Sequence, residues 1–156
     1  MRMSEGVEWA LHCCLTLAWL EGEAPVPTNK LAASFEVPAA YLNKCLQALV
    51  HAGILISSAG IGGGFRLARR PEKISLLDVV VAIEGPEPAF RCMEIRQRGA
   101  GAGGTFRRTC SIAAAMRRAE RAWQSELAAQ SLADIVAATP AAAHNRMRCW
   151  LGRPGK

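Results

Sequence analysis

The sequence lacks an apolar run of the roughly 18 residues that a membrane-spanning helix needs, and its start does not have the layout of a secretory signal peptide. We therefore expect no membrane partner and a cytoplasmic location. The six cysteines include no C-x-x-C pair, which argues against a zinc ribbon or a thioredoxin-like site. Secreted disulfide scaffolds are usually shorter and carry a signal peptide. The cysteines are then buried thiols, a redox switch or ligands of a metal cluster.

Acidic residues are scarce in the second half of the chain. Residues 86–156 contain twelve Lys or Arg against five Asp or Glu, whereas residues 1–85 contain seven against eight. A basic protein often binds nucleic acid, although this balance does not indicate which part would do so. The sequence also offers no nucleophile paired with a base, so we do not expect an enzyme. The length of 156 residues allows one domain with a core and an accessory element.

Three helices are predicted in the first third of the chain. Apolar residues recur at the 3.6-residue period over residues 4–20, so the first helix is placed there. Thr28 is a favourable N-cap for a short helix that continues to Phe35. Pro38 suits the first turn of a further helix, which Gly53 ends. Two short helices joined by such a tight turn form a helix-turn-helix.

A glycine-rich hairpin is predicted directly after the helix-turn-helix. Residues 54–56 and 65–67 are two short β-type runs, and the link between them is rich in glycine. Ser75 with Asp78 then predicts a capping box at the start of another helix, which Gly85 closes. A helix-turn-helix followed at once by a β-hairpin is a winged helix. The expected fold is therefore mainly α with a small β-hairpin.

The rest of the chain is expected to serve assembly. A long helix is predicted over residues 111–130, and its apolar residues step by four, three and four positions, a heptad rhythm that predicts pairing with another long helix. These apolar residues are Ile112, Met116, Ala119 and Trp123. We expect a winged helix-turn-helix DNA-binding domain at 1–85, a cysteine-flanked loop at 86–110, a dimerisation helix region at 111–138 and a flexible tail at 139–156.

The second helix of a helix-turn-helix enters the major groove and turns its N-terminal residues toward base edges. In this chain those residues are Ala39, Ala40, Tyr41, Asn43, Lys44 and Gln47. Asn and Gln can read adenine, while Lys and Tyr reach guanine or phosphate. The hairpin adds phosphate or minor-groove contacts from Arg66, Arg69, Arg70 and Lys73. Each charge alone is consistent with ordinary solvated surface, but the order of helix, turn, helix and basic hairpin favours double-stranded DNA as the partner.

Two cysteines, Cys92 and Cys110, flank a loop, which is a usual place for ligand residues. Cys13, Cys14 and Cys45 lie in helical apolar patterns and are expected to be small core residues. Two thiolates do not complete a zinc or iron–sulfur site, because such a site takes about four protein donors. If the loop thiols bind a metal cluster, two further donors must come from elsewhere.

Glu8 and His12 lie one turn apart on the first helix, so that a carboxylate and an imidazole stand side by side. Such a pair is usually only a contact on a helix surface. It is also a candidate for the two missing donors. Cys149, near the end of the chain, gives no indication of a role.

The chain resembles the bacterial Rrf-type winged-helix transcription regulators over roughly residues 4–137. The resemblance rests on "LAASFEVPAAYLNKCLQALVHAGIL", on "GIGGGFRLARRPEKISLLDVVVAIEG" and on the cysteine-flanked loop before a long helix. Two further stretches, "GVEWALHCC" and "CMEIRQRG", resemble more specifically the RsrR-type redox-sensing branch of that family from actinobacteria.

This resemblance implies a homodimeric repressor or regulator that holds a 2Fe–2S cluster between its subunits. Cys92 and Cys110 would bind it from one chain. Glu8 and His12 of the partner subunit would complete the ligand set, with Trp9 beside the cluster. Operator binding would then be switched by the redox state of the cluster.

Two departures from the family pattern bear on this expectation. The three-cysteine loop of other iron–sulfur members is absent, because only two cysteines flank residues 93–109. Ala59 stands in the hairpin where the family commonly has a basic residue. The main alternative is a cluster-free regulator in which Cys92 and Cys110 form a disulfide on oxidation. A further alternative is an adaptor that uses the heptad helix to bind another protein.

Overall fold

The computed structural model describes residues 3–152. Its regular elements are α1 Glu5–Trp19, α2 Thr28–Phe35, α3 Ala39–His51, β1 Leu55–Ser58, β2 Gly64–Leu67, α4 Leu76–Glu84, α5 Ser111–Ala129, α6 Leu132–Ala138 and α7 Ala141–Leu151. Short 3-10 turns lie at Pro71–Lys73, Ile95–Gln97 and Gly99–Gly101. The predicted fold class, mainly α with a small β-hairpin, is confirmed. None of the helices in the described range combines the length and apolar character needed to cross a membrane.

Helix α1 lies at the centre of the core and packs against α3, α4, α6 and α7. Cys13 and Cys14 on this helix are fully buried, and Cys45 of α3 is buried beside them. Burial raises the pKa of the Cys13 thiol to about 12, and the pKa of Cys14 is raised by the same cause. These thiols are protonated at neutral pH, so they pack as small apolar groups, as the sequence predicted.

Helices α2 and α3 form the predicted helix-turn-helix. α2 ends at Glu36, which adopts a left-handed backbone conformation with φ of 54°. Val37 then donates its N–H back to α2 at 3.0 Å, and α3 begins at Ala39. Thr28 is the first residue of α2 rather than its N-cap, and its hydroxyl lies 3.3 Å from Oδ1 of Asn43. This side chain therefore links the two helices instead of capping one.

Strands β1 and β2 form the wing as an antiparallel pair in which Ser58 lies opposite Gly64. Phe65 and Val26 exchange two backbone hydrogen bonds of 2.9 and 3.0 Å, which tie the wing to the segment that leads into α2. Gly64 has a φ of 153°, and a Cβ there would lie 2.4 Å from the carbonyl group of Val26. Only glycine fits at this position, because the two backbones approach too closely for any side chain.

The start of α4 confirms the predicted capping box. The Ser75 hydroxyl accepts a hydrogen bond from the Asp78 N–H at 3.1 Å, and the Ser75 N–H donates to the Asp78 carboxylate at 2.9 Å. Gly85 ends the helix as predicted, since its N–H donates to the carbonyl of Val81. Both ends of α4 are therefore determined by local sequence.

Residues 111–138 contain two helices, because α5 ends at Ala129 and α6 begins at Leu132. A second capping box, from Ser131 and Asp134, starts α6. Leu132 is only 1% exposed, and its N–H donates to the carbonyl of Ile74 at 2.8 Å. α6 packs against α1 and so belongs to the core of the winged helix. The Ser-x-x-Asp pattern was visible in the sequence and could have predicted it.

Residues 141–151 form helix α7, where the sequence indicated a loosely ordered tail. Leu151 is 7% exposed, and its carbonyl accepts a hydrogen bond from Lys30 Nζ of α2 at 2.8 Å. Arg148 forms an ion pair with Glu23 beyond the end of α1. α7 is therefore stabilised by contacts with distant segments, which a local apolar period cannot reveal. The last four residues of the predicted tail, 153–156, lie outside the described residues.

Candidate functional site

The outer face of α3 carries the predicted base-reading side chains. Asn43 and Lys44 are exposed, and Ala39 and Gln47 are half-buried. The apolar residues of the same helix are buried against the core, with Leu42, Leu46 and Leu49 fully enclosed. Polar groups therefore face outward near the start of α3, as major-groove reading requires.

Tyr41 packs against α1 instead of extending freely from α3. Its ring meets the ring of Trp9 edge to face, with centroids 5.2 Å apart. Its hydroxyl is also close to Gly6, where an added Cβ would lie 3.3 Å from Tyr41 Oη. The side chain is 43% exposed, which leaves it accessible to DNA. Tyr41 therefore joins the reading helix to the helix that bears Glu8 and His12.

The three predicted arginines of the wing differ in their surroundings. Arg66 is exposed on β2 and makes no ion pair within residues 3–152. Arg70 lies 3.3 Å from the Glu72 carboxylate. Arg69 donates to the carbonyls of Gly53 and Lys73 at 3.1 and 3.2 Å, so its guanidinium holds the base of the wing together. Arg66 is the arginine best placed for a phosphate contact.

Ile61 is a candidate DNA contact that the sequence argument did not include. It lies in the glycine-rich turn at the tip of the wing and is completely exposed. An exposed aliphatic side chain is unfavourable in water, but apolar side chains are common where proteins enter the minor groove. The signal in the sequence was a single large apolar residue between Gly60 and Gly62.

The loop before α5 is organised around Arg96. Its guanidinium pairs with the Glu94 carboxylate, donates to the carbonyl of Arg108 at 3.1 Å and lies 4.7 Å from the centre of the Phe106 ring. Glu94 raises the pKa of Arg96, and the thiolates of Cys110 and Cys92 add smaller contributions in the same direction. Arg96 therefore connects Glu94, two residues after Cys92, with Arg108, two residues before Cys110.

Cys110 stands immediately before α5 and is half-buried, whereas Cys92 is exposed. The backbone N–H groups of Ala113 and Ile112 donate to the Cys110 sulfur. These hydrogen bonds, helped by the Arg96 guanidinium, lower the pKa of the Cys110 thiol below its usual value. Cys110 is thus prepared to act as a thiolate, which is the form that binds metals or reacts with oxidants.

We predict that iodoacetamide alkylates Cys110 of cluster-free protein at neutral pH, while Cys13 and Cys14 of the folded chain do not react. The lowered pKa of Cys110 preserves its thiolate as the pH falls, whereas Cys13, with a pKa of about 12, stays protonated. Peptide mass spectrometry over a pH series measures both rates. If the alkylation rate of Cys110 reaches half its maximum at or above pH 8.5, roughly the pKa of a free thiol, this account is contradicted.

Glu8 and His12 are both exposed on α1. The imidazole of His12 lies beside the Phe35 ring, with centroids 5.6 Å apart. Within residues 3–152 of one chain, no three His, Cys, Asp or Glu side chains converge into a metal site. The four candidate donors of one chain therefore lie on two segments, with Cys92 and Cys110 at the loop before α5 and Glu8 and His12 on α1.

The apolar stripe of α5 is largely uncovered in the single chain. Ile112 is 65% exposed and Met116 is 42% exposed, and Ala119 is exposed as well. Trp123 is half-buried because it lines a groove with Val80 and other residues around the end of α4. Apolar side chains in a row on one helix face are typical of a surface that another protein chain covers.

Two comparisons of the sequence give concordant results. A family model described as "Rrf2: Iron-dependent Transcriptional regulator" matches residues 3–138. The chain is also 32% identical over 135 residues to the protein YffB of Lactococcus lactis, which is named as an HTH-type transcriptional regulator. The aligned part covers 86% of each of these two chains.

Solved structures show the same fold. CymR, described as the global cysteine regulator of B. subtilis, matches 90% of this chain and 99% of its own, with a TM-score of 0.72 and 22% identity. IscR of T. potens matches 91% of this chain and 90% of its own, with a TM-score of 0.69 and 20% identity. At these identities the likeness concerns the fold alone.

Proposed function

The chain belongs to the Rrf2 family of transcriptional regulators, and we propose that it is a homodimer whose operator binding is switched by a redox-active 2Fe–2S cluster. It is a DNA-binding regulator and not an enzyme. Within the family we assign it to the RsrR-type redox-sensing branch, acting in the cytoplasm. The observation that carries this proposal is that the four candidate donors lie on separate segments, two on α1 and two flanking the loop before α5, and that no three of them converge within residues 3–152 of one chain.

The donor set fits a 2Fe–2S cluster. Cys92 and Cys110 would supply two thiolates, and the lowered pKa of Cys110 favours the form that binds iron. Glu8 and His12 of the partner subunit would supply an oxygen and a nitrogen, and both side chains are exposed to an approaching loop. A bound 2Fe–2S cluster supplies one-electron redox chemistry at a potential that its ligands and their hydrogen bonds tune.

The contacts of α1 support a route from this site to DNA. Glu8 and His12 flank Trp9, and Trp9 packs on Tyr41 of the reading helix. Gly6 of α1 lies against Cys45 of α3, where an added Cβ would be 3.1 Å from the sulfur. A shift of α1 therefore displaces α3. In a dimer the two reading helices must match half-sites about one helical turn apart, so a small displacement changes operator affinity.

Specific duplex binding tests the DNA-binding part of the proposal. Arg66→Ala is expected to weaken binding to all DNA sequences. It is also expected to reduce the slope of the logarithm of the binding constant against the logarithm of salt concentration (the salt slope) by about one unit per lost phosphate contact. Gln47→Ala is expected instead to relax preference at one or two base pairs, at a cost of about 1–3 kcal/mol. Electrophoretic mobility shifts over a salt series, with the fragment upstream of the protein's own gene, measure both effects.

The matched control is Arg118→Ala, since Arg118 is exposed on α5 and lies outside the winged helix. Ile61→Ser adds a test of the wing tip and is expected to lower affinity without changing the salt slope, because the side chain is uncharged. An equal loss of affinity in the Arg66 and Arg118 variants would contradict the assignment of the wing as a DNA contact.

A second candidate is a cluster-free thiol switch in which Cys92 and Cys110 form a disulfide. The lowered pKa of Cys110 favours it, because the thiolate is the form that attacks in thiol–disulfide exchange. A structural relative, CymR, is described as a cysteine regulator. Iron and acid-labile sulfide assays on protein purified under nitrogen separate the two candidates. Metal-free protein whose DNA binding responds to oxidants would favour the disulfide.

A further inference from the structure

Helices α1, α2, α6 and α7 form the walls of a cavity of about 540 Å³ that is open to solvent on one side. Its walls are mostly apolar and aromatic and include Trp19, Phe35, Ile135, Met147 and Trp150. The volume and the aromatic lining are those of sites for small organic molecules. The α7 wall lies beyond residue 138, where the match to the family model ends.

Two buried polar atoms, one in the cavity wall and one behind it, have no hydrogen-bond partner within the described residues. Thr16 lines the cavity and is 1% exposed, yet its hydroxyl makes no hydrogen bond. His144 does not line the cavity but stacks on Trp19, which does, with ring centroids 5.5 Å apart, and its buried Nε2 is also unpartnered. Buried polar groups without partners are rare in folded proteins, and each indicates a missing partner such as a ligand.

Arg146 gives the cavity a positive charge. It lines the cavity from α7 and makes no ion pair within residues 3–152. The neighbouring basic residue on the same helix, Arg148, is by contrast paired with Glu23. An arginine can hold a carboxylate through charge-assisted hydrogen bonds.

We propose that this cavity binds a small aromatic carboxylate. The ring system packs between the aromatic walls, the carboxylate meets Arg146, and the Thr16 hydroxyl gains a hydrogen-bond partner. One chain supplies all of the lining residues, and one of them is His12, which the proposed function assigns to the cluster, so the site is tested in cluster-free protein. Because Phe35 belongs to α2, a bound molecule contacts the first helix of the helix-turn-helix.

The test uses full-length cluster-free protein labelled at its methionine methyl groups, with 2-naphthoate as the probe. Met147 lines the cavity, whereas Met93 lies in the cysteine loop and Met116 on α5. Titration followed by NMR is expected to shift the Met147 methyl signal to saturation at one probe per chain, while the Met116 signal on α5 stays unchanged. The uncharged analogue 2-naphthylmethanol is expected to bind about tenfold more weakly, since charge-assisted hydrogen bonds are roughly twice as strong as neutral ones.

Two variants and one control complete the test. Arg146→Gln, at an exposed position, is expected to remove the preference for the carboxylate over the alcohol. Ala143→Leu is expected to lower the affinity for both probes, because Ala143 lines the cavity. Arg118→Gln is the charge control and is expected to change nothing. Absence of a saturable Met147 shift, equal shifts at all methionines, or equal binding of both probes would overturn the proposal. If the probe binds only after Met93→Ser, the cysteine loop of the partner subunit fills the cavity in the wild-type dimer. That result would also overturn the proposal.

Discussion

Protein purified under nitrogen is expected to show the visible spectrum of a 2Fe–2S cluster, and Cys92→Ala or Cys110→Ala is expected to abolish it. Loss of a thiolate leaves an iron without its strongest donor. Cys149→Ala is the matched control, since Cys149 is also exposed but lies on α7. Its spectrum is expected to equal that of the wild type.

Replacement of the other two ligands is expected to have a different outcome. Glu8→Ala or His12→Ala should leave a weaker and more labile cluster with a shifted potential, because water replaces an oxygen or nitrogen ligand more easily than it replaces sulfur. Potentiometric titration followed by absorbance measures the shift. An unchanged potential in both variants would show that the α1 pair is only a contact on the helix surface.

A mixed dimer tests whether the ligands come from two subunits. One chain carries Glu8→Ala/His12→Ala and the other carries Cys92→Ala/Cys110→Ala. Neither chain has a full ligand set of its own, but the pairing of intact thiols with the intact carboxylate and imidazole restores one site in each mixed dimer. Iron and sulfide for about one cluster per mixed dimer are therefore expected. If wild-type protein holds the cluster and the mixed dimer holds none, the four ligands come from a single chain.

The double variant Ile112→Glu/Met116→Glu is expected to convert the dimer into a monomer. Both side chains are exposed in the single chain, so the change should spare the fold, but in a dimer each would place an unpaired charge in an apolar interface. Such burial costs several kcal/mol per charge, which raises the dissociation constant by a factor on the order of 100 or more. Light scattering at tens of micromolar measures the mass.

Ser125→Glu is the matched control for this experiment, because Ser125 is exposed on α5 outside the heptad positions. It adds one negative charge per chain, against two in the double variant, and is expected to leave the dimer intact. The half-buried Trp123 is less suitable for substitution, since it also contacts the surroundings of α4. Monomeric wild-type protein at these concentrations would contradict both the interface and the cross-subunit cluster.

Local sequence by itself determined the winged helix. The apolar period of α1, the three-residue turn between α2 and α3 and the capping box of Ser75 and Asp78 all lie where the sequence placed them, to within one or two residues. Each of these signals depends on residues within about four positions of one another, where backbone hydrogen bonding and side-chain period act directly. The buried state of Cys13, Cys14 and Cys45 followed from the same periodicity.

Tertiary structure alone decided the surroundings of the functional side chains. Arg69 is held by the carbonyls of Gly53 and Lys73, and Tyr41 lies on Trp9, which is 32 positions away in the chain. Arg96 contacts the carbonyl of Arg108 and the Phe106 ring, and α7 forms a cavity with α1 and α2. These contacts join residues that are distant in sequence, and their free energy depends on burial and on partners that no local pattern contains. The sequence therefore determined which chemical groups the protein carries, whereas packing decided which of them lie together.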